Sequence, residues 1–178
     1  MPQEKTRIAF DAYRASWSLQ PIHPEAPRYE GDSDQMSVED GLHSWEDGSA
    51  SASTARGDTP VIATKPDGRH LWVVTAEDVV HAEEDCPFGR ARAAGAVKHS
   101  NLTGGADAFS GGEIVFLDDH TVVLNGCSGR YRIRSEAEMR AVASAFRKSG
   151  YRVWSMGWNA DISRPALFGI QDPEWVAA

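Results

Sequence analysis

Four short apolar runs, arranged as two close pairs, set the strongest limit on what this chain can fold into. LWVVT at 71–75 and VVHAE at 79–83 are separated only by Ala76, Glu77 and Asp78. IVFL at 114–117 and TVVL at 121–124 are separated by a turn built on Asp118 and Asp119. Val73, Val74, Val79 and Val80 are β-branched and suit a pleated, half-buried surface. Connections this short join antiparallel neighbours, so each pair predicts a hairpin, the second with an Asx-type bend. VIAT at 61–64, followed by the KPDGRH turn, reads as a further strand.

The clearest helix follows the second hairpin. Ser135 with Glu138 three residues on is the sequence of a capping box. Met139, Val142, Ala143 and Phe146 then form an apolar stripe, and Gly150 stands where a helix-terminating glycine belongs. YRVWSMGW at 151–158 reads as another strand. The order ββ, ββ, α, β predicts an α+β fold, with an antiparallel sheet of two hairpins plus a C-terminal strand and one main amphipathic helix packed on a face. Pro165, Phe168, Pro173 and Trp175 are expected to pack the tail against the core.

The N-terminal third is less regular. A short helix is expected over 4–19, with Ile8, Ala12, Ala15 and Leu19 on its apolar stripe and Phe10 and Trp17 off it. PIHPEAP at 21–27 breaks regular structure. Residues 28–60 hold few large apolar side chains, among them Met36, Val38, Leu42 and Trp45. The expectation is a single domain over 1–178, in which a largely irregular 1–60 segment packs on or covers the 61–178 core. DCPFGRARAAGA at 85–96 reads as a loop with one helical turn around 90–94.

Charge narrows the function classes. A formal net charge of −8 argues against general nucleic-acid binding, although Arg130, Arg132, Arg134, Arg140, Arg147, Lys148 and Arg152 make a local basic run. The same charge suits a protein partner with a basic surface. No apolar run approaches the roughly 18 residues of a membrane span. MPQEKTRIAF has no signal-peptide core, so cytoplasmic synthesis without Sec export is expected; delivery by a specialised secretion system leaves no such mark. Cys86 and Cys127 are too few for a disulfide framework and are expected to be reduced. No Cys/His zinc spacing is present, and His23, His43, His70, His81 and His120 have no ligand spacing, so no metal is expected.

The residues that suggest chemistry flank the second hairpin. His99 and Ser100 are a candidate general base and nucleophile, although neighbours on a strand face opposite ways and a turn histidine with a capping serine is the plainer alternative. Glu113 follows Ser110-Gly111-Gly112 at the start of an apolar strand, where its carboxylate can position a hydroxyl or stabilise a developing cation. A solvated strand-end glutamate is its alternative. Asn125–Tyr131 (NGCSGRY) reads as an anion-binding turn. Gly126 and Gly129 open the backbone, Asn125, Ser128 and Tyr131 add polar groups, and the planar fork of Arg130 matches a phosphate or carboxylate. The expected ligand is small and anionic or nucleotide-like, in a polar pocket built from the turns at 99–113 and 125–131.

KHSNLTGG, SGGE and SGRY, around an apolar hairpin, resemble a module patterned H-S-S-x-L-x-G-G, A-G-E and S-G-H-Y-x-P. It occurs in plant IQ-motif calmodulin-binding proteins and in bacterial polymorphic-toxin or effector proteins. The likeness covers roughly 71–131; Asn101 replaces the second serine, Arg130 the histidine, and Ile133 stands near the usual proline. It implies an effector-like setting and little mechanism. Arg14 in AYRASW, Ser53-Thr54 in SASTARG and Glu113 in GGEIVFL also resemble, in order, the Arg, Ser-Thr-Ser and catalytic Glu of ADP-ribosyltransferases. That resemblance implies NAD as cosubstrate, Arg14 on its phosphates and Glu113 on the oxocarbenium-like ribose. A non-catalytic, immunity-type interaction protein is the third reading.

Overall fold

The computed structural model describes residues 3–22, 29–51 and 53–178. His23 and most of the PIHPEAP stretch lie outside the described residues. Among those described, four helices surround a seven-stranded sheet and a small two-stranded one, an α+β arrangement.

Both expected hairpins form. β2 (His70–Thr75) pairs with β3 (Val79–Glu83), and β4 (Ala108–Asp118) with β5 (Thr121–Asn125), and β2 and β4 pair in turn. β1 (His43–Ser44) adds to β3, so the order is β1-β3-β2-β4-β5 before the sheet changes character. After β5 the chain crosses through α4 (Glu136–Lys148) and returns as β6 (Arg152–Ser155), parallel to β5. The sheet is therefore mixed, not wholly antiparallel: a helix-length connection permits parallel pairing, which a tight turn cannot. β7 (Trp158–Asn159) and β8 (Arg164–Pro165) form the separate two-stranded sheet, and β9 (Glu174–Trp175) closes the main sheet beside β6. The expected strand at 61–64 does not form, and 151–158 divides into β6, a break and β7.

One face of the sheet is covered by two helices instead of one. α1 (Glu4–Ser16) packs beside α4, but it buries Thr6, Ala9, Phe10 and Tyr13, not the expected stripe; Ile8 is 57 % exposed. Phe10 decides that rotation. Its ring meets Phe146 edge-on at 5.0 Å, and Phe146 meets Trp45 at 5.0 Å and Trp72 at 5.1 Å in the same manner. Edge-to-face pairs contribute roughly 0.5–1.5 kcal/mol each beyond area burial, so the aromatic face wins over a stripe of alanines. Trp45 and Met36, each 1 % exposed, pin the 29–51 segment to the core.

The other face is covered in two separate patches. Met36, Phe88, Val97, Leu102 and Tyr131 pack over Leu71 and Val73 near one edge. Met156, Ala166 and Phe168 pack over Val115, Val123 and Trp154 near the other. α2 (Pro87–Arg90) and α3 (His99–Thr103) belong to the first patch, so 99–103 is helical where a turn was expected, and the one helical turn of the 85–96 loop spans Pro87–Arg90 instead of 90–94. Between the patches the sheet is open. Among the described residues, no helix is long and apolar enough to cross a membrane.

Candidate functional site

The gap between the two covering patches is a cleft of about 570 Å³. Its floor follows from strand register. Leu71 on β2 stands opposite Glu113 on β4, which stands opposite Asn125 on β5, and these three share the open face. α3 and the 126–133 segment wall one side, and Ile162, Ser163, Arg164, Pro165 and Leu167 the other. The two Gly-rich regions singled out in the sequence thus meet, one through His99 and Glu113, the other through Cys127, Ser128 and Arg130.

Glu113 is fixed from two directions. Asn125 donates Nδ2–H to its Oε1 at 3.0 Å, while Asn125 Oδ1 accepts the Glu113 N–H at 2.9 Å and the Cys127 N–H at 3.0 Å. Arg69 lies 3.5 Å from the other carboxylate oxygen and 3.1 Å from Glu84. Burial raises the Glu113 carboxyl above the ordinary value, Glu84 adds to the rise, and Asn125 and Arg69 oppose it. Asn125 is itself fully buried. It positions the carboxylate instead of offering a free ligand group. Beside them burial pushes the Cys127 thiol up to about 12, so it stays protonated and is a poor nucleophile.

His99 closes the floor at the α3 end. Its Nε2–H donates to the Gly112 carbonyl at 2.9 Å. A carbonyl only accepts, so the neutral ring carries its lone pair on Nδ1. Burial is the main cause that lowers its pKa to about 4, with Arg130 and Lys98 contributing. The ring is neutral at pH 7 and a weak base.

Three expected site residues have other duties. Ser100 does not line the cleft; its hydroxyl donates to the Asp32 carbonyl, because a helix in place of a turn aims it inward. Tyr131 is fully buried and its hydroxyl joins Thr103 at 2.8 Å and Ala106 O at 2.5 Å. Arg14 donates to the Thr75 and Asp78 carbonyls, both at 2.9 Å, at the β2–β3 turn. That turn is at the opposite end of β2 from Leu71, the partner of Glu113. Arg14, Ser53-Thr54 and Glu113 therefore do not assemble into one NAD site.

The anion-binding turn is altered in detail. Arg130 is held by the buried Asp32 carboxylate. Ser128 Oγ accepts the Arg130 N–H at 3.3 Å and the Tyr131 N–H at 3.0 Å, which leaves its own proton to donate. Charge instead comes from residues the sequence did not single out for this site. Lys98, Arg132 and Arg164 line the cleft and have no ion-pair partner among the described residues. They come from three separate segments, so only the fold brings them together. Their one sequence signal is that Arg132 belongs to the basic run.

A second titratable group occupies the β1 edge. His70 Nδ1 and His81 Nδ1 are 3.0 Å apart, and His43 stacks on His81 at 5.2 Å. Burial first, and the neighbouring His70 and His43 after it, lower the His81 pKa to about 3. No cluster of three or more His, Cys, Asp or Glu among the described residues could hold a metal ion. Half-buried His81 and buried His99 predict acid sensitivity. Their folded pKa values lie below the ordinary 6.5, so between pH 6.5 and 4 the unfolded chain binds more protons and stability falls as pH falls. The slope is up to about 1.4 kcal/mol per pH unit for each histidine. Glu113, whose carboxyl is raised, works in the opposite direction and offsets part of it. Urea unfolding at pH 7, 6 and 5 reads this directly; equal stability across that window would contradict it.

A scan against protein-family models, a search of curated proteins and a search of solved structures each return no match for this chain.

Proposed function

We propose that this cleft binds a small anionic or nucleotide-like ligand, with Glu113 placed for acid–base work on it. The observation that carries the reading is the disposition of charge: Lys98, Arg132 and Arg164 face a floor whose carboxylate is held by a buried amide and raised by burial. Unpaired cations in a concave, partly apolar site favour an anion with an apolar or planar body. Ser128 supplies a hydroxyl donor, and Ile133, Ile162 and Leu167 supply contact area. A carboxyl raised above its ordinary value serves as a proton donor or acceptor near neutral pH more readily than an ordinary one. The effector-like setting rests on the 71–131 resemblance alone.

The test is a thermal-shift titration with inorganic pyrophosphate, ADP and NAD. A ligand at a hundred times its dissociation constant stabilises by about 2.7 kcal/mol, which is a rise of roughly 5–10 °C for a chain of this size. Lys98→Gln together with Arg164→Gln should remove most of that rise, because both side chains leave the core untouched. No shift with any of the three compounds, or a full shift in the double variant, would sink the reading. Glu113→Gln separates chemistry from binding. If NAD or ADP is turned over, that variant should bind normally and lose turnover.

A further inference from the structure

The floor of the cleft is more selective than its charged rim. Side chains alternate faces along β4, so positions 111 and 113 share the open face, about 7 Å apart along the strand. A Cβ on Gly111 would meet the His99 ring at 2.9 Å and Ser128 Oγ at 3.3 Å, so those two side chains occupy the space over Gly111. His99, Ser128 and Glu113 therefore make one row, and all three line the cleft.

The row has one acceptor and one donor to offer. Glu113 Oε1 takes the Asn125 N–H at 3.0 Å, and Arg69 stays 3.5 Å from Oε2. Each carboxylate oxygen has two lone pairs, so acceptor capacity remains, and the side chain is 20 % exposed. Ser128 Oγ accepts two backbone N–H groups, and its own O–H has no acceptor among the described residues. The floor thus calls for a group that donates to Glu113 and accepts from Ser128. A phosphate dianion has no proton to give, and an ammonium has no lone pair to receive one. A hydroxyl does both.

Positive charge is kept away from that floor. Arg132 and Arg164 are exposed and Lys98 is half-buried, so the cations without an ion-pair partner stand toward the mouth. At depth, Glu84 and Glu113 share the single cation Arg69, and the buried His99 ring is neutral. An anionic group therefore belongs at the mouth, and the part of the ligand that reaches the floor is uncharged and hydroxylated. A cleft of about 570 Å³ has room for both parts of such a molecule. We infer, on the reading of this cleft as an anion site, that its ligand is a phosphorylated sugar or polyol, with its phosphate on Lys98, Arg132 and Arg164 and its hydroxyls on Glu113 and Ser128.

The experiment titrates ¹⁵N-labelled protein with ribose 5-phosphate and two controls. Pentyl phosphate keeps the carbon count and the anion but has no hydroxyl, and O-phosphoethanolamine puts an ammonium in place of the hydroxyls. The readouts are dissociation constants and the amide signals of Glu113 and Ser128. Ribose 5-phosphate should bind at least about tenfold more tightly than either control, the effect of one hydrogen bond to a charged group, and it alone should move both signals. Ser128→Ala should weaken ribose 5-phosphate to the level of pentyl phosphate and leave pentyl phosphate itself unchanged, which reports that the fold and the cations persist. Glu113→Ala should do the same, and it covers the case in which loss of the Ser128 bonds disturbs the 126–131 turn. Equal affinity for the ribose and pentyl compounds, tighter binding of O-phosphoethanolamine, or an undiminished preference in both variants would overturn the inference; pyrophosphate binding would then leave the anion site standing. Binding of none of these compounds, pyrophosphate included, would overturn both.

Discussion

Replacing Gly112 with alanine should destabilise the protein by about 3 kcal/mol or more, at the upper end of what overpacking a core does. The strain has nowhere to go. An added Cβ would stand 2.1 Å from the Asn125 carbonyl oxygen and 2.7 Å from two ring atoms of Trp72. Trp72 is opposite Gly112 in register, and its indole crosses β4 to donate Nε1–H to the Glu113 and Asn125 carbonyls, each at 3.2 Å. A side chain at 112 would have to displace both that indole and the β4–β5 ladder. Trp72→Phe in the same chain should give no rescue, because the carbonyl contact is the shorter one. Urea midpoints measure the loss. Gly112→Ala within about 1 kcal/mol of the parent would show that the strands part more readily than this packing allows. Gly111→Ala is the informative contrast: its Cβ meets His99 Cδ2 at 2.9 Å, so its first effect should be on the position of the His99 ring.

Asn125→Ala carries the second large effect. It leaves the Glu113 and Cys127 N–H groups without their acceptor and removes the donor to the Glu113 carboxylate. Each buried group so orphaned costs roughly 1–3 kcal/mol, giving a total of about 2–5 kcal/mol, with ligand affinity falling alongside. Asn125→Asp tests the cause. It restores the acceptor but sets a second carboxyl against Glu113, so one of the pair holds a proton. The folded state then binds more protons than the unfolded one, and stability should fall as pH rises from 5 to 8. A profile parallel to that of the parent would mean that position 125 does not sense the charge on Glu113.

The hairpins and α4 were legible because their signals are local. The β2–β3 and β4–β5 partners lie within a few residues of each other, and the Met139, Val142, Ala143, Phe146 stripe needs no distant information. Even there the pattern misled in one respect. Glu138 does not complete the capping box: Ser135 Oγ accepts the Glu138 N–H at 3.1 Å, but the Glu138 carboxylate turns to Arg134 and to the Tyr13 hydroxyl at 2.7 Å. A partner 125 residues away outweighed the local one. Ser110-Gly111-Gly112 resembled a turn because two adjacent glycines usually mark one. Here they lie in the middle of β4, where Trp72 and His99 need the room.

The candidate site divided along the same line. Glu113, His99, Ser128 and Asn125 were found because glycines mark close backbone approach. The pairing of Glu113 with Asn125 was not reachable by counting back from the turn at Asp119 and His120, which gives Gly126; an irregularity between Phe116 and Asp118 shifts the register by one. Arg69, Glu84, Lys98 and Arg164 could not be reached either, because they lie on segments whose proximity depends on sheet order and on where 160–167 folds back. Ser100 and Tyr131 were misjudged for a related reason: polarity in sequence does not tell a hydroxyl that lines a cleft from one that satisfies a buried carbonyl.

The sheet ends on strands of two residues each, His43–Ser44 on one side and Glu174–Trp175 on the other. A strand that short offers almost no ladder for a foreign strand to extend. A sheet with long β-branched strands at its centre, of the kind that would join fibrils if laid bare, is in this way shielded from edge-to-edge growth by the brevity of its margins.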